Sequence, residues 1–236
     1  MQYSTFAAID IGSYDVILEI FEISKKQGIR SVDKICHRME LGKDTYTLGK
    51  IRPEMEEELC RVLADFVRIM EGYRVDDYRA TASSAISEAS NSLYVLGKIH
   101  QLTGLSVTVL SNSEQRFLSY KALAAMEDNF NKIIEKGTAI LDLDGGSFQI
   151  SLFDKDALVT TQNIRMGSLR IRERLAGIQS ETEHYEEMVE ELIWNEVSSF
   201  KKMYLKDRKI ENIMLIGDVF TDSVYQNIEE KTTKII

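Results

Sequence analysis

The sequence predicts an α/β protein made of two similar domains. Two stretches with the same pattern carry this prediction: residues 6–21 and residues 137–153 each form an apolar strand that ends in an Asp/Gly turn and continues into a second strand. They stand about one small domain apart, and each opens a strand-rich region followed by segments whose apolar residues recur at helical spacing. A pattern repeated in this way indicates a duplicated fold with a ligand-binding cleft between its halves.

Composition narrows the classes of protein to consider. The 236 residues suffice for two domains of roughly 110 to 120 residues each. The formal net charge of −9 excludes a general nucleic-acid binder, because no surplus of Lys and Arg remains to neutralise a phosphate backbone. No apolar run approaches the roughly 18 residues of a membrane span, and the first residues lack a signal-peptide pattern. Cys36 and Cys60 have no CxxC spacing, so we expect reduced thiols in a cytoplasmic protein.

The first half begins with an antiparallel meander of three strands, at residues 4–11, 15–23 and 29–41, followed by a polar loop at 42–50. A helix begins at Pro53, since proline in a first turn loses no hydrogen bond, and acidic residues there favour the positive end of the helix dipole. Strand and helix then alternate: a strand at residues 77–82, a helix opened by Ser83, a strand at 105–110 and a helix that follows Ser111.

The second half repeats this order in a shorter form. We predict strands at residues 138–144, 147–154 and 157–165, helices at about 168–176 and 181–205, a strand at 213–216 and a helix after Gly217. Three antiparallel strands followed by α/β units are typical of the ribonuclease H-like fold of actin, sugar kinases and heat-shock chaperones. We therefore expect two ribonuclease H-like (actin-like ATPase) domains, 1–126 and 127–236, with a cleft between them and the second domain truncated.

The turn of the second hairpin contains two carboxylates, two glycines and a serine. Glycines allow the backbone N–H groups to approach a ligand closely, and Ser147 could contact an anion. Asp142 and Asp144 could hold a hydrated divalent cation. The alternative is a surface hairpin in which Asp-Gly-Gly provides only the turn.

Five stretches, in this order, resemble the exopolyphosphatase/guanosine pentaphosphate phosphatase family of the actin-like phosphotransferase superfamily. They are AAIDIGS (7–13), ATASSAISEASN (80–91), VLSNSEQRFLSYKA (109–122), ILDLDGGSFQISLF (140–153) and IRMGSLRIRERL (164–175). The resemblance covers essentially the whole chain. It implies an enzyme that removes terminal phosphate from polyphosphate or from guanosine pentaphosphate, using magnesium or another divalent cation, and it allows a homodimer.

The resemblance also assigns roles to single residues. Glu114 matches the general base that activates the attacking water; its alternative role is in a helix capping box with Ser111. The remaining assignments are metal binding by Asp10, Asp142 and Asp144 and phosphate binding by Gly12, Ser13, Gly145, Gly146 and Ser147.

The chain departs from the usual family residues at six positions: Tyr14 for Asn, Glu40 for Arg, Ser87 for Arg, Asn112 for Gly, Gln115 for Glu and Asp144 for Gly. Most of these changes reduce positive charge or add bulk or negative charge near the expected phosphate site. Asp144 would repel a phosphate unless a cation lay between them. Two readings follow: a working phosphatase, or a divergent member with weak or no hydrolysis that acts as a nucleotide-sensing or interaction module. A kinase or ATPase is a third, but Leu215–Asp218 lacks the run of glycines expected of an adenosine-binding segment.

Overall fold

The computed structural model describes residues 3–127, 129–179, 184–206 and 208–217. The chain forms two compact units, the first running to Ser111 and the second starting at Asn112. No helix within the described residues is both long and apolar enough to cross a membrane.

The first unit is a five-stranded sheet with helices that follow its third and fourth strands. The strands have the order β3-β2-β1-β4-β5; β1, β2 and β3 are antiparallel neighbours, whereas β4 and β5 run parallel to β1. The elements are β1 (Ser4–Ile11), β2 (Asp15–Ser24), β3 (Gly28–Arg38), α1 (Leu41–Leu48), α2 (Pro53–Tyr73), β4 (Asp77–Ala82), α3 (Ser84–Ser87), α4 (Ser92–Thr103) and β5 (Val107–Val109).

Alternation along the strands builds the core of this unit. Every second residue of β1 and of the first six residues of β2 is buried, as a sheet with one covered face requires. The apolar stripe of α2, with Leu59, Leu63 and Phe66 buried, packs in the same core as Val95 and Ile99 of α4.

The second unit repeats the topology through four strands. Its sheet has the order β8-β7-β6-β9, with β6, β7 and β8 antiparallel neighbours and β9 parallel to β6. The elements are α5 (Asn112–Met126), α6 (Phe130–Ile134), β6 (Thr138–Leu143), β7 (Phe148–Asp154), β8 (Ala157–Ile164), α7 (Ser168–Gln179), α8 (Tyr185–Tyr204) and β9 (Asn212–Gly217).

The two aspartates of the repeated pattern occupy matching positions in their units. Asp10 is the second-last residue of β1 and pairs with Ile17 across the hairpin, and Asp142 is the second-last residue of β6 and pairs with Gln149. Each strand also has a parallel neighbour, β4 or β9, on its other side. The repeat seen in the sequence is therefore a repeat of strand topology.

The compact units and the predicted domains differ in the place of α5, which the structure groups with the second unit. Tyr120 of α5 packs edge-on against Phe153 of β7 with ring centroids 5.2 Å apart, and its hydroxyl lies 2.5 Å from that of Ser151. These contacts join α5 to the second sheet. The helix predicted after Gly217 lies outside the described residues.

Three local predictions were wrong. The loop predicted at 42–50 is mostly helix α1, because the buried side chains of Asp44 and Thr45 bond to Arg52 and to the Ala85 carbonyl. The helix predicted after Ser83 is two helices, since Asn91 bonds both backbone groups of Ile51 at the break. The short α6 was not predicted, and β5 is shorter than expected.

Leu152 on β7 is completely buried, so its replacement tests the second core. We expect Leu152→Ala to lower the free energy of unfolding by about 2 to 5 kcal/mol, because it removes buried methyl groups and leaves a cavity. Urea unfolding measures this change. The matched control is Leu93→Ala on α4, where the side chain is 85% exposed and the expected change is within about 0.5 kcal/mol. Equal effects of the two substitutions would contradict the assignment of the core.

Candidate active site

The tip of the β6–β7 hairpin is closed by hydrogen bonds within the turn. The backbone N–H of Asp144 donates to the carbonyl of Ser147 at 3.0 Å, and the N–H of Gly145 donates to Oδ1 of Asp144 at 2.9 Å. Gly145 and Gly146 are buried, whereas Asp142, Asp144 and Ser147 are half-buried. The turn therefore presents its polar side chains beside a tightly packed glycine backbone.

The start of α7 fixes this turn from behind. The carbonyl of Gly145 accepts from the N–H groups of Leu169 and Arg170 at 3.0 and 3.1 Å, and Nε of Arg170 donates to the Gly146 carbonyl at 2.9 Å. Gly167 must lack a side chain here, since a Cβ would lie 2.4 Å from the backbone of Asp144 and Gly145. Arg170 thus positions the turn, a role that the sequence reading did not give it.

A small polar cavity of about 20 Å³ lies against the turn. Such a volume holds one water molecule or one ion, so a larger ligand such as a phosphoryl group would lie outside the cavity and contact the residues that line it. The side chains around it come from α5, β6, the turn, β7 and β8: Asn112, Gln115, Arg116, Asp142, Asp144, Ser147, Gln149 and Asn163. Three of the predicted site residues, Asp142, Asp144 and Ser147, are thereby brought together.

Both carboxylates in the cavity accept hydrogen bonds from α5. Oδ2 of Asp142 accepts from the hydroxyl of Ser119 at 3.3 Å, and Oδ2 of Asp144 accepts from Nε2 of Gln115 at 3.4 Å. Burial raises the pKa of Asp144, and the hydrogen bonds from Gly145 and Gln115 offset only part of that rise. On the opposite wall, Nδ2 of Asn163 donates to the Ser147 hydroxyl at 3.1 Å.

The donor set of this cavity fits a hard divalent cation. Mg²⁺ prefers oxygen ligands and is usually held by one or two carboxylates together with waters and substrate phosphates. Asp142 and Asp144 supply two carboxylates, and the neighbouring amide side chains supply further oxygens. Within the described part of the chain there is no group of three or more His, Cys, Asp or Glu suited to a metal.

The first hairpin turn is built differently. The N–H of Gly12 donates to the Asp15 carbonyl at 3.0 Å, and a Cβ on Gly12 would lie 2.9 Å from that oxygen, so the turn requires glycine. Ser13 is only 1% exposed, and its hydroxyl lies 2.7 Å from that of Tyr46. Asp10 is exposed, with the Thr81 hydroxyl 3.5 Å from Oδ1. Of the predicted residues here, the structure presents the Asp10 carboxylate to solvent and directs the Ser13 hydroxyl to Tyr46.

An arginine side chain lies beside this first turn, and the sequence analysis did not identify it. Arg38 of β3 forms a bidentate pair with Asp15, at 2.6 and 3.3 Å, and its guanidinium stands over the ring of Tyr14 at 5.0 Å. Asp15 and Arg38 are opposite each other in the β2–β3 register, so only the correct pairing of these two strands could have predicted this ion pair.

Glu114 stands in the first turn of α5 and is exposed. It does not line the polar cavity, whereas Asn112, Gln115 and Arg116 of the same turn do. Ser111 directly precedes the helix, as the capping alternative requires. The cavity-lining amides and Arg116 were missed because nothing in the sequence alone shows which face of α5 packs over the β6–β7 turn.

Comparison with known proteins places this site in context. Residues 19–235 match the model of the Ppx/GppA phosphatase family. The bifunctional 3-dehydroquinate synthase/phosphatase of Fusobacterium nucleatum is 22% identical over 95% of this chain and 34% of its own length. Exopolyphosphatase 1 of Mycobacterium leprae is 25% identical over 61% of this chain and 41% of its own length. The chain thus spans about a third of the first relative, and its match to the second spans about two fifths of that protein.

Solved structures support the fold assignment. The Ppx/GppA family member of Aquifex aeolicus matches 99% of this chain and 72% of its own with a TM-score of 0.71 at 21% identity. An exopolyphosphatase from Cytophaga hutchinsonii matches 99% of this chain and 73% of its own with a TM-score of 0.73 at 19% identity. These likenesses confirm the predicted ribonuclease H-like α/β fold.

Replacement of Asp144 by Asn tests the electrostatics of the cavity. An acid whose pKa is raised by folding costs stability while it is ionised, and this cost vanishes once the pH falls below its ordinary pKa of 3.8. We therefore expect Asp144→Asn to increase the free energy of unfolding at pH 7, in EDTA, and to give progressively less gain as the pH is lowered through the raised pKa. Urea unfolding across this pH range measures the change.

The control for this experiment is Asp65→Asn, which removes an exposed carboxylate from α2. It should alter stability little at any of these pH values. A loss of stability at pH 7, or a gain that does not change with pH, would contradict the assigned cost of burying Asp144.

Proposed function

Because the chain belongs to the Ppx/GppA phosphatase family, we propose that it hydrolyses phosphoanhydride bonds and releases terminal phosphate from polyphosphate or a guanosine pentaphosphate-type nucleotide. The observation that carries this proposal is the β6–β7 turn, where the carboxylates of Asp142 and Asp144 and the side chain of Ser147 border one polar cavity. Phosphoryl transfer needs positioned hydrogen-bond donors and charge neutralisation rather than a covalent nucleophile. The turn supplies the elements of both.

In this proposal the residues of the second turn bind the phosphoryl group. Ser147 offers a hydroxyl that Asn163 already holds in place, and glycines 145 and 146 permit close approach of the backbone. Gly12 plays the matching part in the first turn. The anchoring of the Gly145 and Gly146 carbonyls by α7 keeps the turn from rearranging, so the Ser147 hydroxyl is positioned before the substrate arrives.

Asp142 and Asp144 would hold the divalent cation in the second turn, and the resemblance assigns metal binding to Asp10 of the first turn as well. When bound, Mg²⁺ neutralises the charge that the transferring phosphoryl group carries. The hydrogen bonds from Ser119 and Gln115 orient the two carboxylates for this task.

Glu114 is the general base of the proposal. Its carboxylate stands in the first turn of α5, and an ionised carboxylate can take a proton from water. Solvent exposure gives it access to that water. This role comes from the family resemblance, and the helix position is compatible with it.

A second candidate function is binding of a phosphorylated nucleotide without hydrolysis. Two observations favour it. The Ser13 hydroxyl is already hydrogen-bonded to that of Tyr46, and the α5 side chain that contacts Asp144 is the amide of Gln115, where the resemblance leads us to expect a glutamate. In that case the chain is a sensing or interaction module.

The free thiols Cys36 and Cys60 accord with a cytoplasmic location for either function, and a homodimer stays a prediction.

Measurement of phosphate release separates the two functions. We expect the protein with Mg²⁺ to release phosphate from polyphosphate or guanosine pentaphosphate, and Glu114→Gln to lower kcat by about 10² to 10⁴ with little change in KM. The variant removes proton acceptance while it preserves the size of the side chain.

The matched control is Glu186→Gln on α8, an exposed glutamate that the proposal leaves out of the chemistry. Its kcat should equal that of the unmodified protein. If both phosphate compounds bind without release above background in the folded protein, the binding function replaces the enzymatic one.

A further inference from the structure

Arg116 on α5 places a positive charge at the proposed phosphate site. It is half-buried and lines the polar cavity together with Asp142, Asp144 and Ser147. The two residues before it have proposed roles, Glu114 as the general base and Gln115 as a hydrogen-bond donor to Asp144. Arg116 has none so far. Its position calls for a physical reason, because a guanidinium is costly to desolvate without a partner.

Two neutral hydroxyl groups hold the guanidinium. Nη1 donates to Thr161 of β8 at 2.9 Å, and Nη2 donates to Ser113 at 2.8 Å. Thr161 is itself 3.2 Å from the Ser151 hydroxyl, which accepts from Tyr120 at 2.5 Å. This chain of hydroxyls anchors the guanidinium at both ends, so little rotamer freedom remains to be lost when a ligand binds.

The anchoring leaves most of the donors of Arg116 available. A guanidinium has five N–H groups, and the described residues take up two of them. Among those residues the structure records no ion pair of Arg116 with a carboxylate. A planar cation held by neutral groups beside a glycine turn suits two oxygens of one phosphoryl group.

The charges of the cavity point to the same ligand. Two carboxylates and one guanidinium leave one net negative charge, which disfavours an anion, and a divalent cation on Asp142 and Asp144 reverses that sign. Asn112, the first residue of α5, also lines the cavity, so the positive end of the α5 dipole lies on the same side. Cation, guanidinium and helix end together form a positive binding surface.

We propose that Arg116 binds the phosphoryl group directly, gripping non-bridging oxygens beside the Gly145–Ser147 turn. The proposal rests on the proposed function. It assigns a positive group of this chain to phosphate binding, in a sequence that has Ser87 where the resemblance led us to expect an arginine. It also narrows the substrate to one that ends in an unsubstituted phosphoryl group, because a two-point contact needs two free oxygens on the same phosphorus.

Binding of tripolyphosphate in the presence of Mg²⁺, measured by calorimetry, tests the proposal without turnover. We expect Arg116→Gln to weaken binding about tenfold to a hundredfold, the loss of a charge-assisted two-point contact. Arg116→Lys keeps the positive charge but cannot form the two-point contact of a guanidinium, so its affinity for tripolyphosphate should lie between those of the unmodified protein and Arg116→Gln. The matched control is Arg174→Gln, which removes an exposed arginine from α7 and should leave the affinity within about twofold.

The outcomes distinguish the proposals. If the unmodified protein binds tripolyphosphate and Arg116→Gln binds equally well, the role of Arg116 is refuted and the proposed function stands. If the unmodified protein does not bind it, the proposed function fails as well. Should Arg116→Gln fail to fold, Thr161→Val removes one anchor with no change in charge; binding weakened about threefold or more supports the proposal, and unchanged binding overturns it.

Discussion

The candidate site depends on one close backbone contact, that of Gly167 with the Asp144–Gly145 peptide. No side chain fits between them, since a Cβ would lie 2.4 Å from that backbone. The contact brings the first residues of α7 near enough to donate to the Gly145 carbonyl, and Arg170 then reaches the Gly146 carbonyl. The hairpin tip is thereby fixed, and the carboxylates of Asp142 and Asp144 are presented on a rigid support rather than on a mobile loop.

The two copies of the repeat share topology and differ in what their turns do. Asp10 and Asp142 occupy the same place in their sheets. In the first turn, however, the polar side chains bond inside their own unit: Ser13 to Tyr46 and Asp15 to Arg38. In the second, Asp142, Asp144 and Ser147 border a cavity. We infer that duplication supplied a common frame and that the second turn carries more of the ligand contacts.

The sequence predicted the strand order because alternation and turn residues are local signals. Asp10, Asp142 and the glycines followed from the same signals. It could not predict helix α1, whose buried Asp44 bonds to Arg52 beyond the end of the helix and whose buried Thr45 bonds to the Ala85 carbonyl, 40 residues along the chain. Nor could it show that Gln115 reaches Asp144, because that contact depends on how α5 packs. The sequence suggested that Asp144 repels phosphate unless a cation lies between them; in the structure it accepts hydrogen bonds from Gly145 and Gln115 and lines the same cavity as Asp142.

The central claim is that the β6–β7 turn binds a phosphoryl group together with a divalent cation. Hydrogen exchange of the backbone, followed by mass spectrometry with and without Mg²⁺ and tripolyphosphate, tests it most directly. The account predicts slower exchange in peptides that cover residues 142–149 and the start of α5 when both ligands are present, and no comparable change with either one alone. Protection confined to other peptides, with these unchanged, would contradict the claim.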